Sequence, residues 1–153
     1  MNYIQETIGL PLILSISKSE NIKQYIDAAF AVHKDMKSHT CRFMTMGTGG
    51  VHVQSRKQKL NTNISAEDDL VGVDDVLNQL IWTLYFLKEQ GYNIHNNIVY
   101  QDNQSAIKLE KNGSISSSKR TSHINIRYCF ITDRITKQEA SVEFCPTLYM
   151  IGY

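Results

Sequence analysis

The stretch from residue 65 to residue 102, SAEDDLVGVDDVLNQLIWTLYFLKEQGYNIHNNIVYQD, decides the fold class. Ala66, Leu70, Val73, Leu77, Leu80, Leu84 and Leu87 recur at steps of three and four. At about 3.6 residues per turn, that spacing collects them on one side of a helix of about six turns. Ser65 is placed to cap this helix, with Asp68 three residues on as an acidic variant of the capping box, and Gly91 ends it. Ile94 to Tyr100 then reads as a strand, with Asp102 just past its end. A helix set between strands implies a mixed sheet that contains parallel pairs.

Upstream of this stretch, Ile22 to Phe30 is strand-like, with Ile22, Ile26 and Phe30 in one phase of a period of two. A polar loop, Val32 to Thr40, follows it. Phe43 to Gly47 and Val51 to Gln54 flank Thr48-Gly49-Gly50, which reads as a β-hairpin. Three antiparallel strands therefore precede the long helix. Before them, Met1 to Ile8 reads as a helix stopped by Gly9 and Pro11, and Leu12 to Ile16 as a short strand. Downstream, Ser105 to Leu109 reads as a short helix and Lys111 to Arg120 as a basic loop rich in Gly and Ser. Ile124 to Ile135 is helical by pattern, and Ser141 to Phe144 is a last strand halted by Pro146. The order β-β-β-α-β-α-α-β predicts an α/β (mixed α+β) domain with a mixed sheet of about five strands.

The composition fits one globular domain with a core: 153 residues, 42% hydrophobic and 20% charged. A net charge of +1 gives no global pull toward nucleic acid or membrane. The apolar runs read as too short to span a bilayer, and the N-terminus lacks the pattern of a secretory signal. Cys41, Cys129 and Cys145 are odd in number and lack C-x-x-C spacing, which suits reduced thiols in an intracellular protein.

Three acidic positions stand out by placement. Asp27 lies inside a strand, Asp69 in the first turns of the long helix, and Asp102 just past a strand end. Carboxylates from separate elements that converge can bind hard divalent cations through oxygen. Two such ions can activate water and stabilise the leaving oxygen of a phosphodiester. Each acid also has a structural explanation. Asp27 suits an edge strand that resists aggregation, Glu67 to Asp69 complement the helix dipole, and Asp102 suits a cap for the following helix.

Five segments bear on that choice: YIDAAF (Tyr25 to Phe30), SRKQKLNT (Ser55 to Thr62), YQDNQSAIKL (Tyr100 to Leu109), SSKRTSHINIRY (Ser117 to Tyr128) and SVEFCPT (Ser141 to Thr147). In order and rough spacing they resemble motifs of the ribonuclease H domain in copia-type LTR retrotransposon Pol polyproteins. The resemblance runs from about Leu10 to the end, so residues 10–153 would form the ribonuclease H-like domain and residues 1–9 the tail of the reverse transcriptase connection. It implies the ribonuclease H fold and hydrolysis of RNA in RNA–DNA hybrids assisted by two Mg2+ ions, with Mn2+ as a possible substitute. It further implies that the reverse transcriptase portion of the same polyprotein is a partner, and a cytoplasmic particle or the nucleus the location. No membrane partner is implied.

By motif, Asp27 and Asp102 match the first and third catalytic aspartates and metal ligands. Asp69 stands where the family has a glutamate, with a reach shorter by roughly 1.5 Å, while Glu67 differs from it in direction on the helix by about 200°. Tyr153 stands where a fourth acid would be. Cys41-Arg42 replaces a usual Gly-Gly, and Ser122 replaces a basic residue before His123. These departures predict a weakened enzyme; the alternative is a catalytically dead remnant that only folds or binds nucleic acid. Arg56, Lys57, Lys59, Lys119, Arg120 and Arg127 are the candidates for phosphate contacts, against a plainly solvated surface. His123 reads as a structural hydrogen-bonding residue. Trp82, Tyr85 and Phe86 read as core or interface residues, and His33 and His39 lack partners at metal-ligand spacing.

Overall fold

The computed structural model describes residues 2–11, 13–17, 21–62, 65–112 and 122–151. Its centre is a five-stranded sheet in the order β5-β3-β2-β6-β7, formed by β2 (Ile22–Ala29), β3 (His39–Thr45), β5 (His52–Lys57), β6 (Asn97–Gln101) and β7 (Ser141–Phe144). The pairs β2–β3 and β3–β5 are antiparallel, whereas β2–β6 and β6–β7 are parallel. This is the mixed sheet that the sequence implies, with the strand bearing Asp27 at its centre. A second, two-stranded ladder joins β1 (Ser15–Ile16) to β4 (Gly47–Thr48). The chain also has a short α1 (Asn2–Thr7).

The long helix α2 (Ser65–Glu89) lies across β2, β3 and β6, and α3 (Gln104–Asn112) and α4 (Ser122–Thr136) pack beside it. Leu70, Val73, Leu77, Leu80 and Leu84 are buried, as their spacing requires, against Ile22 and Ile26 of β2 and Val99 of β6. Each such side chain contributes about 1.5–3 kcal/mol on burial. Gly72 sets the approach of helix to sheet: a Cβ there would lie 3.2 Å from Ile26 Cγ2 and 3.3 Å from Thr40 Cγ2. Gly91 takes a φ of +87° just past the helix, the left-handed stop expected of it.

Several boundaries differ from the sequence reading, each for a local reason. Phe30 leaves the strand and is exposed, because Ala31 turns the chain at a φ of +50°. β3 begins at His39, inside the segment expected to be loop, because that polar stretch pairs with β5. β4 peels away from the hairpin to pair with β1. β6 starts only at Asn97; Ile94 reaches the core from the preceding loop instead. Ser65 is the first helical residue rather than the cap. α2 is also long and apolar enough to cross a membrane by length and composition alone, contrary to the sequence reading. Its buried stripe packs on the sheet, and acids at positions 67, 68, 69, 74 and 75 fill its first half.

Candidate active site

The parallel pairing of β2 with β6 places two of the three candidate acids at one level. Tyr25 pairs with Tyr100, so Asp27 and Asp102 each lie two residues further along neighbouring chains, which run about 4.8 Å apart in a sheet. Asp69 arrives from the second turn of α2. The three carboxylates share an open cleft of about 430 Å³ whose described lining also includes Asn103, Ser105 and Phe144 and contains no Lys or Arg. The structure thus brings together Asp27, Asp69 and Asp102.

The electrostatics follow from that convergence. Burial raises the Asp27 carboxyl above its usual range and the Asp102 charge adds to this, while a hydrogen bond from the Ala28 backbone opposes it. Asp69 is pushed up to about 7, first by burial and then by the charges of Asp102, Asp27 and Asp68; a hydrogen bond from Asn103 works the other way. Like charges held together in a partly dry site raise one another's proton affinity. A cluster in that condition, made only of oxygen donors and without a cation in its lining, suits a hard divalent ion.

The carboxylates are also held by neighbours. Asn103 Nδ2 donates to Asp69 Oδ2 at 2.7 Å, and Thr147 Oγ1 donates to Asp102 Oδ2 at 2.6 Å. Asn103 also caps α3, its Oδ1 accepting from the N–H of Ser105 at 3.0 Å and of Ala106 at 3.2 Å. The capping role considered for Asp102 therefore falls to its neighbour. Among the described residues, no three or more His, Cys, Asp or Glu side chains are arranged so that they could hold a metal ion as they stand. Donor chemistry suits the ion, and binding it would require exchanging the Asn103 and Thr147 contacts.

The acids beside Asp69 point elsewhere. Glu67 lies near Tyr128, whose hydroxyl pKa it raises after burial has done so. Asp68 is fully buried and accepts from Ser38 Oγ at 2.5 Å and from Thr62 Oγ1, while its carbonyl accepts from Gln58 Nε2 at 3.0 Å. It therefore ties α2 to the segments beside it, rather than serving the helix N-terminus near Ser65 as its position suggests.

One buried acid went unnoticed in the sequence. Glu110 of α3 is wholly buried and receives a 2.6 Å hydrogen bond from Gln101 Nε2. Burial pushes its carboxyl up to about 8, with the Asp69 charge adding to this and the Gln101 bond opposing. Glu110 Oε1 and Gln101 Oε1 are both buried without partners. Only its place on the inner face of a short helix distinguishes Glu110 in the sequence, and that face was not resolved there.

The candidate phosphate-binding residues divide. Arg56, Lys57, Lys59 and Arg127 line one groove together with Arg42, a residue that sequence reasoning treated only as a departure from the family. Lys57 pairs with Asp35 at 2.7 Å, and Arg127 pairs with Asp74 and, at 3.3 Å, with Asp75. Lys119 and Arg120 lie outside the described residues, as do Tyr153 and the His123 side chain. Trp82 and Phe86 stack at 5.2 Å on the exposed face of α2, so they are not core residues. His33 and His39 bond each other at 3.0 Å. The three cysteines are free.

No family model matches the chain. Over 143 residues it is 33% identical to the "Retrovirus-related Pol polyprotein from transposon TNT 1-94" of Nicotiana tabacum, covering 93% of this chain and 10% of that protein. The chain thus spans about a tenth of the length of the curated relative it matches. Among solved structures it is similar to LC11-RNase H1, isolated from compost, with a TM-score of 0.57, 11% identity and coverage of 84% and 86% of the two chains. It is also similar to RNase H1 from Halobacterium salinarum, with a TM-score of 0.51, 11% identity and coverage of 84% and 87%. At these identities the structural likeness speaks for the fold. A second LC11-RNase H1 structure, in complex with an RNA/DNA hybrid, has a TM-score of 0.57 at 8% identity, covering 84% and 88%.

Proposed function

We propose that this chain is a ribonuclease H-like domain of the retrotransposon Pol type and that it hydrolyses the RNA strand of RNA–DNA hybrids, slowly, using Mg2+ held by Asp27, Asp69 and Asp102. The observation that carries this reading is the meeting of three carboxylates from three separate elements in one cleft whose described lining has no cation. Two divalent ions bound there would supply an activated water and charge stabilisation for the leaving oxygen.

The chain's own residues set the conditions. Asp27 sits on the central strand, which is paired on both sides. Thr147 holds Asp102, and Asn103 holds Asp69. Asp69 is half protonated near pH 7 in the absence of a cation, so its proton must leave for it to serve as a ligand. Cation binding and activity should therefore rise with pH through about 7. The short reach of Asp69 accounts for the slow rate: it remains bonded to Asn103 rather than extended into the cleft.

The proposal places the domain inside the cell, in a cytoplasmic particle or the nucleus, within a polyprotein whose reverse transcriptase portion is a partner. Residues 1–9 are assigned to the connection between the two. A second reading is a non-catalytic domain that folds and holds nucleic acid. The two described hydrogen bonds to Asp69 and Asp102, and the lack among the described residues of any three His, Cys, Asp or Glu arranged to hold a metal ion, favour it. Calorimetric titration with MgCl2 separates the two. The catalytic reading expects Mg2+ binding that Asp27→Asn weakens at least tenfold; heat that is absent, or unchanged by that substitution, supports the second.

A further inference from the structure

On the side of the sheet away from α2, a line of hydrogen-bonded side chains runs from β5 across β3. Thr40 of β3 lies against Gly72 of α2, so its neighbours His39 and Cys41 point to the opposite face, and with them their cross-strand partners Lys57 and Ser55 of β5. Ser55 Oγ and His39 Nε2 are 2.7 Å apart, and His39 Nδ1 and His33 Nε2 are 3.0 Å apart. Cys41 Sγ lies 3.5 Å from Ser55 Oγ. Ser55 is exposed, whereas the two imidazoles are half-buried. Both ring nitrogens of His39 are thus engaged, one by a hydroxyl and the other by a second ring.

Both ends of this line are fixed. Ser55 and His39 stand on paired strands. His33 sits in the turn between β2 and β3, whose backbone is bonded to itself: His33 N–H donates to the Lys37 carbonyl at 3.1 Å, and Met36 N–H to the His33 carbonyl at 2.8 Å. Ala31 N–H donates to Ser38 Oγ at 2.9 Å, and that hydroxyl donates to the buried Asp68 carboxylate at 2.5 Å. Protons can be placed along the line in two orders. In one, His33 donates to His39 and His39 to Ser55, which makes the hydroxyl an acceptor. In the other, Ser55 donates to His39 Nε2 and His39 Nδ1–H donates to His33 Nε2, so the hydroxyl faces a base whose ring is held by a third group. The second order is the one by which hydroxyls become nucleophiles. The backbone adds a donor. Gln58 N–H donates to the Ser38 carbonyl at 2.8 Å, which sets the alternation along β5: Arg56 and Gln54 turn their amides toward β3, and Ser55 turns its amide outward. Because β5 is the edge strand, that N–H meets no further strand. An amide beside the nucleophile can receive the oxyanion that develops in acyl transfer.

We infer that Ser55, His39 and His33 form a nucleophilic site that takes acyl groups from activated carboxylic esters. Ser55 Oγ adds to the ester carbonyl carbon while His39 Nε2 takes the hydroxyl proton. The tetrahedral adduct then collapses, the bond from carbon to the alcohol or phenol oxygen breaks, and the leaving group takes up the proton from His39. The products are O-acyl Ser55 and the free alcohol or phenol, with no change of oxidation state. His33 is a positioning residue: it accepts from His39 Nδ1–H, fixes the ring and steadies the charge that forms on it. The site is independent of the nucleic-acid reading, since none of its three residues is among the described lining of the acidic cleft.

The test incubates the full-length chain with p-nitrophenyl acetate in EDTA, follows release of p-nitrophenol, and locates the acetyl group by peptide mass spectrometry. EDTA removes the cations that hybrid cleavage requires, so the result does not depend on that activity. The expected result is rapid acetylation of Ser55, absent in S55A and in the urea-unfolded chain. H39Q, whose amide can still bond Ser55 but is not a base, should slow acetylation of Ser55 by about a hundredfold or more. H33A should slow it less, and H33Q, whose Oε1 can accept where His33 Nε2 does, should recover most of that loss at an unchanged thermal midpoint. If a histidine variant fails to fold, the label map of the wild type, folded against unfolded, decides the case. Acetyl groups found only on lysines or on Cys41 would overturn the site. So would acetylation of Ser55 that proceeds equally fast in H39Q or in urea.

Discussion

At the scale of single residues, the three acids of the cleft were marked in the sequence, and a buried acid outside it, Glu110, was not. Asp27 and Asp102 were legible because each sits in a distinctive run of residues, YIDAAF and YQDNQSAIKL, and their alignment follows from strand pairing. Asp69 was distinguishable from Glu67 and Asp68 by helical direction, and the structure separates the three as that direction requires. Lengthening it should help: Asp69→Glu adds about 1.5 Å of reach and should raise hybrid cleavage in Mg2+ at least tenfold, read as initial rates on a labelled substrate. Glu110 makes a different prediction. Its folded pKa, about 8, lies above its ordinary 4.5, so the folded state holds a proton that the unfolded state releases between those values. Stability from this group is full below about 4.5 and is lost as pH rises through about 8. Asp69 titrates in an overlapping window, from 3.8 to about 7, so Glu110→Gln removes only part of the effect. Between pH 6 and 9 the thermal midpoint of the wild type should fall by at least about 3 °C more than that of Glu110→Gln. Parallel curves would show that Glu110 is ionised throughout.

At the scale of elements, α2 both builds the core and aims Asp69. Its apolar period was plain in the sequence because a buried stripe on a helix must repeat at 3.6 residues. How closely it rides on the sheet was not, because that depends on Gly72, where a Cβ would press on Ile26 and Thr40. Gly72→Leu should force helix and sheet apart, with a cost of about 1–3 kcal/mol, seen as a drop of about 3–10 °C in thermal midpoint. Hybrid cleavage should fall more than global stability, because Asp69 moves relative to Asp27. A fully active, equally stable Gly72→Leu protein would contradict this role. The strand ends were the least legible features. Phe30 has the right phase but lies past a turn at Ala31, and β3 begins among polar residues because β5 is there to pair with it. Neither fact is local to the sequence.

At the scale of the whole molecule, the order of elements was enough to give a mixed five-stranded sheet, because helical crossovers are how parallel strands are joined and the hairpin residues favour antiparallel pairing. Charge distribution was not legible in the same way. A net charge of +1 conceals an acidic cleft and a basic groove that lie side by side. They arise because Arg42 and Arg56, fourteen residues apart in sequence, are brought to one side of the sheet by strand pairing. On the proposed reading, this juxtaposition would let the domain hold a polyanion beside carboxylates that bind cations of their own.

The most direct measurement is the rate of RNA–DNA hybrid cleavage by the purified chain in MgCl2, compared with Asp27→Asn and Asp69→Glu at equal fold stability. The account predicts slow cleavage by the wild type, abolished by EDTA and by Asp27→Asn, and accelerated by Asp69→Glu. Cleavage that survives Asp27→Asn, or none from either the wild type or Asp69→Glu, would contradict it.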